Sequence, residues 1–238
     1  MPLETNAAET RAESLPTLAL LRAAAEEARA LLRVAALWPY DLEATIPVAH
    51  AGEDVAVLVH GALATAGTFR PLREELERAG VHTATFTYAP SFGVEEIAAG
   101  IRDLLQRLPG GVRIHLVGHS LGGLAVRWFV QEMGSDPRVV QTISLATPFE
   151  GARGAQLLPG PAGRDMKHKS PVLERLLASA ARTGIPHLSI LGTTDTAVSS
   201  ETRFPVGDRL VIPYAGHNML LFHADAVRAV RDRVVRRA

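Results

Sequence analysis

Apolar residues fall along this chain in two patterns that take turns. Short dense runs rich in β-branched side chains predict strands: Val55 to Val59, Val81 to Tyr88, Val112 to Val117, Val139 to Leu145, His187 to Leu191 and Arg209 to Ile212. Val55-Ala-Val-Leu-Val59 is apolar without a break, as suits a central strand. Between these runs the spacing becomes helical. Phe69 to Ala79 is one such segment, stopped by Gly80, and Val94 to Leu108 is another, closed by Pro109-Gly110-Gly111. A third follows Ser120, with Leu124, Val126, Trp128, Phe129 and Val130. Ser170-Pro171 reads as an N-cap with proline at the first helical position, opening a helix to about Arg182. Met219 to Val235 predicts a closing helix.

Strands alternating with helices imply a mostly parallel sheet of about six strands, with right-handed crossovers and helices on both faces. Two segments fall outside that alternation. Residues 1–54 form an N-terminal helical segment ahead of a domain at 55–238. Its first 14 residues are polar and expected to fray. Leu15 to Trp38 is amphipathic, with Leu18, Leu21, Ala25, Ala28 and Leu32 on one face and Arg22, Glu26, Arg29 and Arg33 on another. The apolar face is expected to pack on the domain; contact with a membrane surface or a partner is the alternative. Pro39 ends this helix. The second segment is an insertion at about 149–186, a loop with spread glycines and prolines followed by the 170–182 helix.

Composition narrows the classes. A chain of 238 residues suits one α/β domain. Lys+Arg and Asp+Glu are both 25, which argues against nucleic acid as a partner. The absence of cysteine excludes a disulfide framework and thiolate metal sites. No run of 18 apolar residues predicts a transmembrane span, and the start lacks the basic-then-apolar order of a signal peptide, so a cytoplasmic location is expected.

The chemistry concentrates at Gly118-His119-Ser120-Leu121-Gly122, a G-x-S-x-G pentapeptide between the 112–117 strand and a helix. That context is the one a nucleophile elbow requires. The serine sits on a strained turn, side chains at Gly118 and Gly122 would collide with neighbouring elements, and the helix start aims free N–H groups at the place where an oxyanion would form. A serine hydroxyl needs a base within hydrogen-bond reach and a group that orients the base. In such a sheet both belong just after strands, in the order Ser, acid, His. His217 follows the last strand, and His223, the other late histidine, falls within the closing helix. Asp195 follows the 187–191 strand; Asp208 precedes the last strand, and Glu201 is the nearer rival in a loop. The N–H groups of Leu121 and of Ala62, with Leu63 as second choice, are expected to form an oxyanion hole. His60 and His119 read as structural hydrogen-bonding groups at the site.

Val-Leu-Val-His-Gly at 57–61, Gly-His-Ser-Leu-Gly-Gly at 118–123, Leu-Ala-Thr-Pro at 145–148, Gly-Thr-Thr-Asp-Thr-Ala-Val at 192–198 and Gly-His at 216–217 together resemble the α/β-hydrolase superfamily, most of all its bacterial lipase and esterase branch. The run at 169–176 is similar to a Gly-Ser-Pro-Phe-Leu run of many lipases, whereas Phe149 departs from the histidine they often carry after Thr-Pro. The resemblance implies an α/β-hydrolase fold with a short cap insertion and hydrolysis of a small-molecule or lipid carboxylic ester through an acyl-enzyme. Ser120 would be nucleophile, His217 base, Asp195 its orienting acid, and Ala62 and Leu121 the oxyanion donors, with no metal or organic cofactor. A thioesterase, amidase or acyltransferase on the same residues, or a non-catalytic binding module, are the rival readings. The insertion lies where this fold commonly places a cap, so Leu173, Leu176 and Leu177 are expected to line the acyl pocket.

Overall fold

In the computed structural model, which describes residues 17–158 and 160–235, the elements run α1 (Thr17–Leu37), β1 (Asp54–Val59), α2 (Arg70–Arg78), β2 (His82–Thr85), α3 (Val94–Arg107), β3 (Arg113–His119), α4 (Leu121–Glu132), β4 (Val139–Leu145), α5 (Gly160–Asp165), α6 (Pro171–Ser179), β5 (His187–Gly192), β6 (Asp208–Ile212) and α7 (Ala224–Val235). The six strands form one sheet in the order β2-β1-β3-β4-β5-β6, every pairing parallel. The chain leaves β1 toward β2 on one side and resumes with β3 on the other. The crevice between the carboxyl ends of β1 and β3 is therefore a topological switch point, the place where open α/β sheets hold their chemistry.

The two faces of the sheet are read directly from β1. Val55, Val57 and Val59 belong to the core beneath α3, α4 and α6, while Ala56 and Leu58 belong to the core beneath α2 and α7. All five are fully buried. Burial of a valine or leucine of this kind contributes about 1.5–3 kcal/mol. At the start of α3, Glu96 reaches back to the Gly93 N–H (3.0 Å), and the Asp165 carboxylate accepts the Val94 N–H at 2.9 Å. At α6, Ser170 Oγ accepts the Leu173 N–H, as its N-cap position predicts.

Three departures from the sequence expectations have physical causes. First, α1 docks with the opposite face. Ala23 and Ala30 are buried, whereas Leu18, Leu21 and Leu32 are 61%, 62% and 72% exposed. Small residues let the helix approach closely, and Glu27 on the docked side is fastened by hydrogen bonds to residues 218 and 219. The expected fraying of residues 1–14, and the first two residues of the predicted helix, lie outside the described residues. Second, α5 forms inside the insertion, where the Gly/Pro content predicts only loop. It packs closely enough that a Cβ on Gly163 would lie 2.1 Å from the Leu158 carbonyl oxygen. Third, the closing helix is broken: a 3-10 turn at Met219–Leu221 precedes α7. Among the described residues no helix is long and apolar enough to cross a membrane.

Candidate active site

At the end of β3 the backbone turns sharply into α4, and Ser120 takes φ 51°, ψ −120°. That conformation is costly for a residue with a Cβ and is held by its surroundings. The Ser120 N–H donates to the Leu145 carbonyl at 2.8 Å. A Cβ on Gly122 would stand 2.2 Å from the Val59 carbonyl oxygen, and one on Gly118 would stand 2.5 Å from Gly123 Cα. The two glycines therefore allow α4 to sit tightly over β1 and β3. Leu63, Ala146 and Tyr214, which follow β1, β4 and β6, also have positive φ. Four of the seven non-glycine residues with positive φ among the described residues thus lie at the carboxyl edge of the sheet.

The structure brings Ser120, His217 and Asp195 together there. Ser120 Oγ lies 3.1 Å from His217 Nε2, and His217 Nδ1 lies 2.8 Å from Asp195 Oδ2. The other Asp195 oxygen accepts the N–H groups of Ala197 and Val198, both at 2.8 Å. These bonds fix the carboxylate from the side away from the imidazole. Asp195 and Ser120 are buried, and His217 is half-buried. The rival groups lie elsewhere. Asp208 is at the amino end of β6, paired with Arg233 at 2.9 Å. Glu201 is exposed, and His223 Nδ1 accepts the Asp225 N–H in the first turn of α7.

Two further histidines support the site without reaching the serine. Tyr88 stacks on His60 with centroids 3.8 Å apart and donates its backbone N–H to His60 Nε2. His60 Nδ1 then carries the proton and donates to the Gly61 carbonyl at 2.8 Å. His119 Nε2 donates to the His217 carbonyl at 3.2 Å. Burial pushes the pKa of His119 down to about 3, with His217 adding to the effect, and burial pushes that of His60 down to about 4. Both are neutral in the folded protein, while an unfolded histidine protonates near 6.5. Between those values the unfolded chain binds protons that the folded chain refuses, so stability falls as pH drops from about 6.5 toward 4. The two histidines together predict a loss on the order of 3–5 kcal/mol between pH 7 and pH 4.5. Urea midpoints measured across that range should fall with pH; midpoints that stay constant would contradict the burial of neutral imidazoles.

Ser120 and His217 stand in a cleft of about 460 Å³, with apolar walls that include Val34 of α1, Ala62, Ala152, Leu158, Met166 and Leu221. At its mouth Leu31, Leu63 and Leu157 are 52%, 53% and 83% exposed. Ala62 borders the cleft beside Ser120, and Leu121 opens α4. Among the described residues neither of their N–H groups has a hydrogen-bond acceptor.

The leucines of α6 are placed differently from their expectation. Leu176 is fully buried, and Leu173 and Leu177 border a separate cavity of about 500 Å³ with Phe149, His168 and Lys169. The cause lies in α4. Arg127, wholly buried, donates to Gln131, Thr142 and the Ala180 carbonyl, and Gln131 donates to the Leu176 carbonyl and Ser179 Oγ. This network clamps α6 down onto α4. Phe149 packs on Phe204 with centroids 4.2 Å apart, part of the core beneath the insertion. The insertion's share of the cleft wall comes instead from Ala152, Ala155, Leu157, Leu158 and Met166, apolar side chains scattered among glycines that give no helical period to read. Among the described residues no group of three or more His, Asp or Glu side chains is arranged to hold a metal ion.

The sequence model of the alpha/beta hydrolase family matches residues 56–186, more than half of the chain. The chain belongs to the alpha/beta hydrolase family. No curated protein matches the hydrolase in sequence. Among solved structures, the mature lipase BlEst2 of Bacillus licheniformis superposes with a TM-score of 0.67 at 17% identity, covering 81% of this chain and 96% of that one. The monoacylglycerol lipase of Paleococcus ferrophilus gives 0.62 at 20% identity, over 78% of this chain and 96% of that one. The naproxen esterase (carboxylesterase NP) of Bacillus subtilis gives 0.56 at 18% identity, over 94% of this chain and 99% of that one. At these identities the likeness is one of fold. The family match holds the hydrolase's elbow at Ser120 but ends before Asp195 and His217.

Proposed function

We propose that this hydrolase cleaves carboxylic esters bearing an apolar acyl group, through an acyl-enzyme on Ser120. The observation that carries the reading is the hydrogen-bonded chain from Ser120 Oγ through His217 to Asp195, standing in an apolar cleft. Ser120 Oγ attacks the ester carbonyl carbon while His217 Nε2 takes its proton. Asp195 holds the proton on Nδ1 and stabilises the imidazolium. The oxyanion forms at the start of α4, where the Leu121 and Ala62 N–H groups donate to it. The imidazolium returns its proton to the leaving alcohol as the C–O bond breaks. Water then attacks the acyl-serine, its proton passing to His217 and on to Ser120 Oγ as the acid leaves.

The test is turnover of p-nitrophenyl esters from acetate to laurate, alongside the matching thioesters and anilides. Ester hydrolysis is expected to dominate. No ester turnover above background would overturn the reading, and faster turnover of the thioester at equal acyl length would assign the site to thioesters.

The exposed leucines at the mouth support an acyl chain, or a lipid ester, that leaves the cleft across an apolar rim. Full burial of a leucine is worth about 1.5–3 kcal/mol, and a partial share of that is about 1 kcal/mol, close to fivefold. Leu157→Ser and Leu63→Ser are therefore expected to lower kcat/KM for laurate about fivefold each relative to acetate. Because both side chains are exposed, thermal stability should be unchanged. An unchanged laurate-to-acetate ratio would mean that the chain takes another route.

A further inference from the structure

The three groups of the relay do not explain what holds the loop that carries His217. That loop is short: Tyr214 and Gly216 precede the histidine, and Asn218 and Met219 follow it into the 3-10 turn. The His217 carbonyl accepts from His119, and the backbone N–H groups that follow it are met by a residue far away in sequence. Glu27, in the middle of α1, accepts the Asn218 N–H and the Asn218 Nδ2–H on Oε1, both at 2.9 Å, and the Met219 N–H on Oε2 at 2.9 Å. The same side chain passes over Gly216. A Cβ there would lie 2.4 Å from Glu27 Oε2 and 2.9 Å from its carboxyl carbon, so glycine at that position makes room for it.

We infer that Glu27 is a positioning residue: its carboxylate grips the backbone immediately after His217, lies over Gly216 before it, and sets the imidazole against Ser120. The inference rests on the proposed reading of Ser120 and His217 as nucleophile and base. Two features separate this from an ordinary helix-docking contact. Both carboxylate oxygens are used, and every donor is within two residues of the histidine. In addition, the α1 leucines that could have docked the helix by burial face outward, so the docked side is the one that carries Glu27. The grip gives α1 a part in the site although it lies wholly outside the segment matched by the family.

A carboxylate accepts all three donors; an amide of the same shape turns an N–H₂ toward one of them. Misplacing a reacting group by about 1 Å can cost on the order of 100-fold. Glu27→Ala is therefore expected to lower kcat by about 10- to 100-fold, and Glu27→Gln by a smaller factor, with KM for p-nitrophenyl butyrate changed less than about twofold. The downfield proton NMR signal of His217 Nδ1–H should broaden in the same order.

Ala30→Gly serves as the comparison, since it loosens the same helix without touching the loop. At equal loss of Tm it should leave kcat near that of the parent. If Ala30→Gly loses as much kcat as Glu27→Ala at equal Tm, or if Glu27→Ala keeps full kcat, the positioning role is overturned. Asn218→Ala removes one of the three bonds from the loop side and gives the same reading should a Glu27 variant fail to fold: lowered kcat at constant KM supports the grip, and unchanged kcat overturns it. Ser120→Ala, run in parallel, keeps the two readings apart. Should that variant retain activity, the proposed nucleophile is wrong; should it be inactive while the Glu27 and Asn218 variants are fully active, only the grip is wrong.

Discussion

Replacing Ser120 by alanine is expected to lower kcat toward p-nitrophenyl esters by about 10⁶-fold, to the level left by binding and oxyanion donors alone. The size follows from what the side chain does. Without Oγ no acyl-enzyme forms, and His217 has no alkoxide to generate. The loss should come without unfolding. The backbone at Ser120 is held by its N–H bond to Leu145 and by the fit of Gly122 against β1, neither of which involves the hydroxyl. An organophosphonate should add one adduct mass to the parent protein, on the peptide containing Ser120, and none to Ser120→Ala. Adduct on another serine, or turnover within about tenfold of the parent, would remove Ser120 from the mechanism.

The parts of the molecule that were legible in the sequence are those where one physical demand dominates. Val55 to Val59 must be apolar on both faces because helices cover both, and only a buried parallel strand asks for that. The elbow was legible because the tight turn requires small residues at 118 and 122. Asp195 and His217 could be placed because functional groups in such sheets gather after strands, and the structure puts both at the carboxyl ends, His217 within reach of Ser120 and Asp195 within reach of His217.

Where two demands compete, the pattern misleads. The leucine stripe of α1 is the stronger apolar face, yet the helix docks through Ala23, Ala30 and Glu27, because close approach and a carboxylate meeting three donors outweigh it. The leucines of α6 have the period of a helix that covers something, but the pattern cannot say what. Arg127 and Gln131, buried polar residues whose bonds reach across to 176–180, decide it. Glu27 itself carried no signal: one acidic residue among charged neighbours on an amphipathic helix looks like a solvated face until its partners are seen.

Asp195→Asn is expected to reduce kcat by about 10⁴-fold while leaving Tm nearly unchanged, and the hydrogen bonds around the carboxylate give the reason. Oδ1 accepts two backbone N–H groups, from Ala197 and Val198, and Oδ2 accepts the His217 Nδ1–H. An amide has one oxygen to offer. Two backbone donors hold that oxygen, so the N–H₂ group is turned toward His217. Facing a donor, Nδ1 must become an acceptor, and the neutral imidazole carries its proton on Nε2. Nε2 is the atom 3.1 Å from Ser120 Oγ, and in that tautomer it has no lone pair to take the serine proton. The variant thus keeps its shape and loses its base. Nitrogen-15 NMR of the His217 ring should show protonation moved from Nδ1 to Nε2, and single-turnover acylation should slow by the same factor as kcat. Asp208→Asn, at the far end of β6, should change kcat less than about threefold by comparison. A kcat for Asp195→Asn within about tenfold of the parent, or an unchanged tautomer, would show that another group orients the histidine.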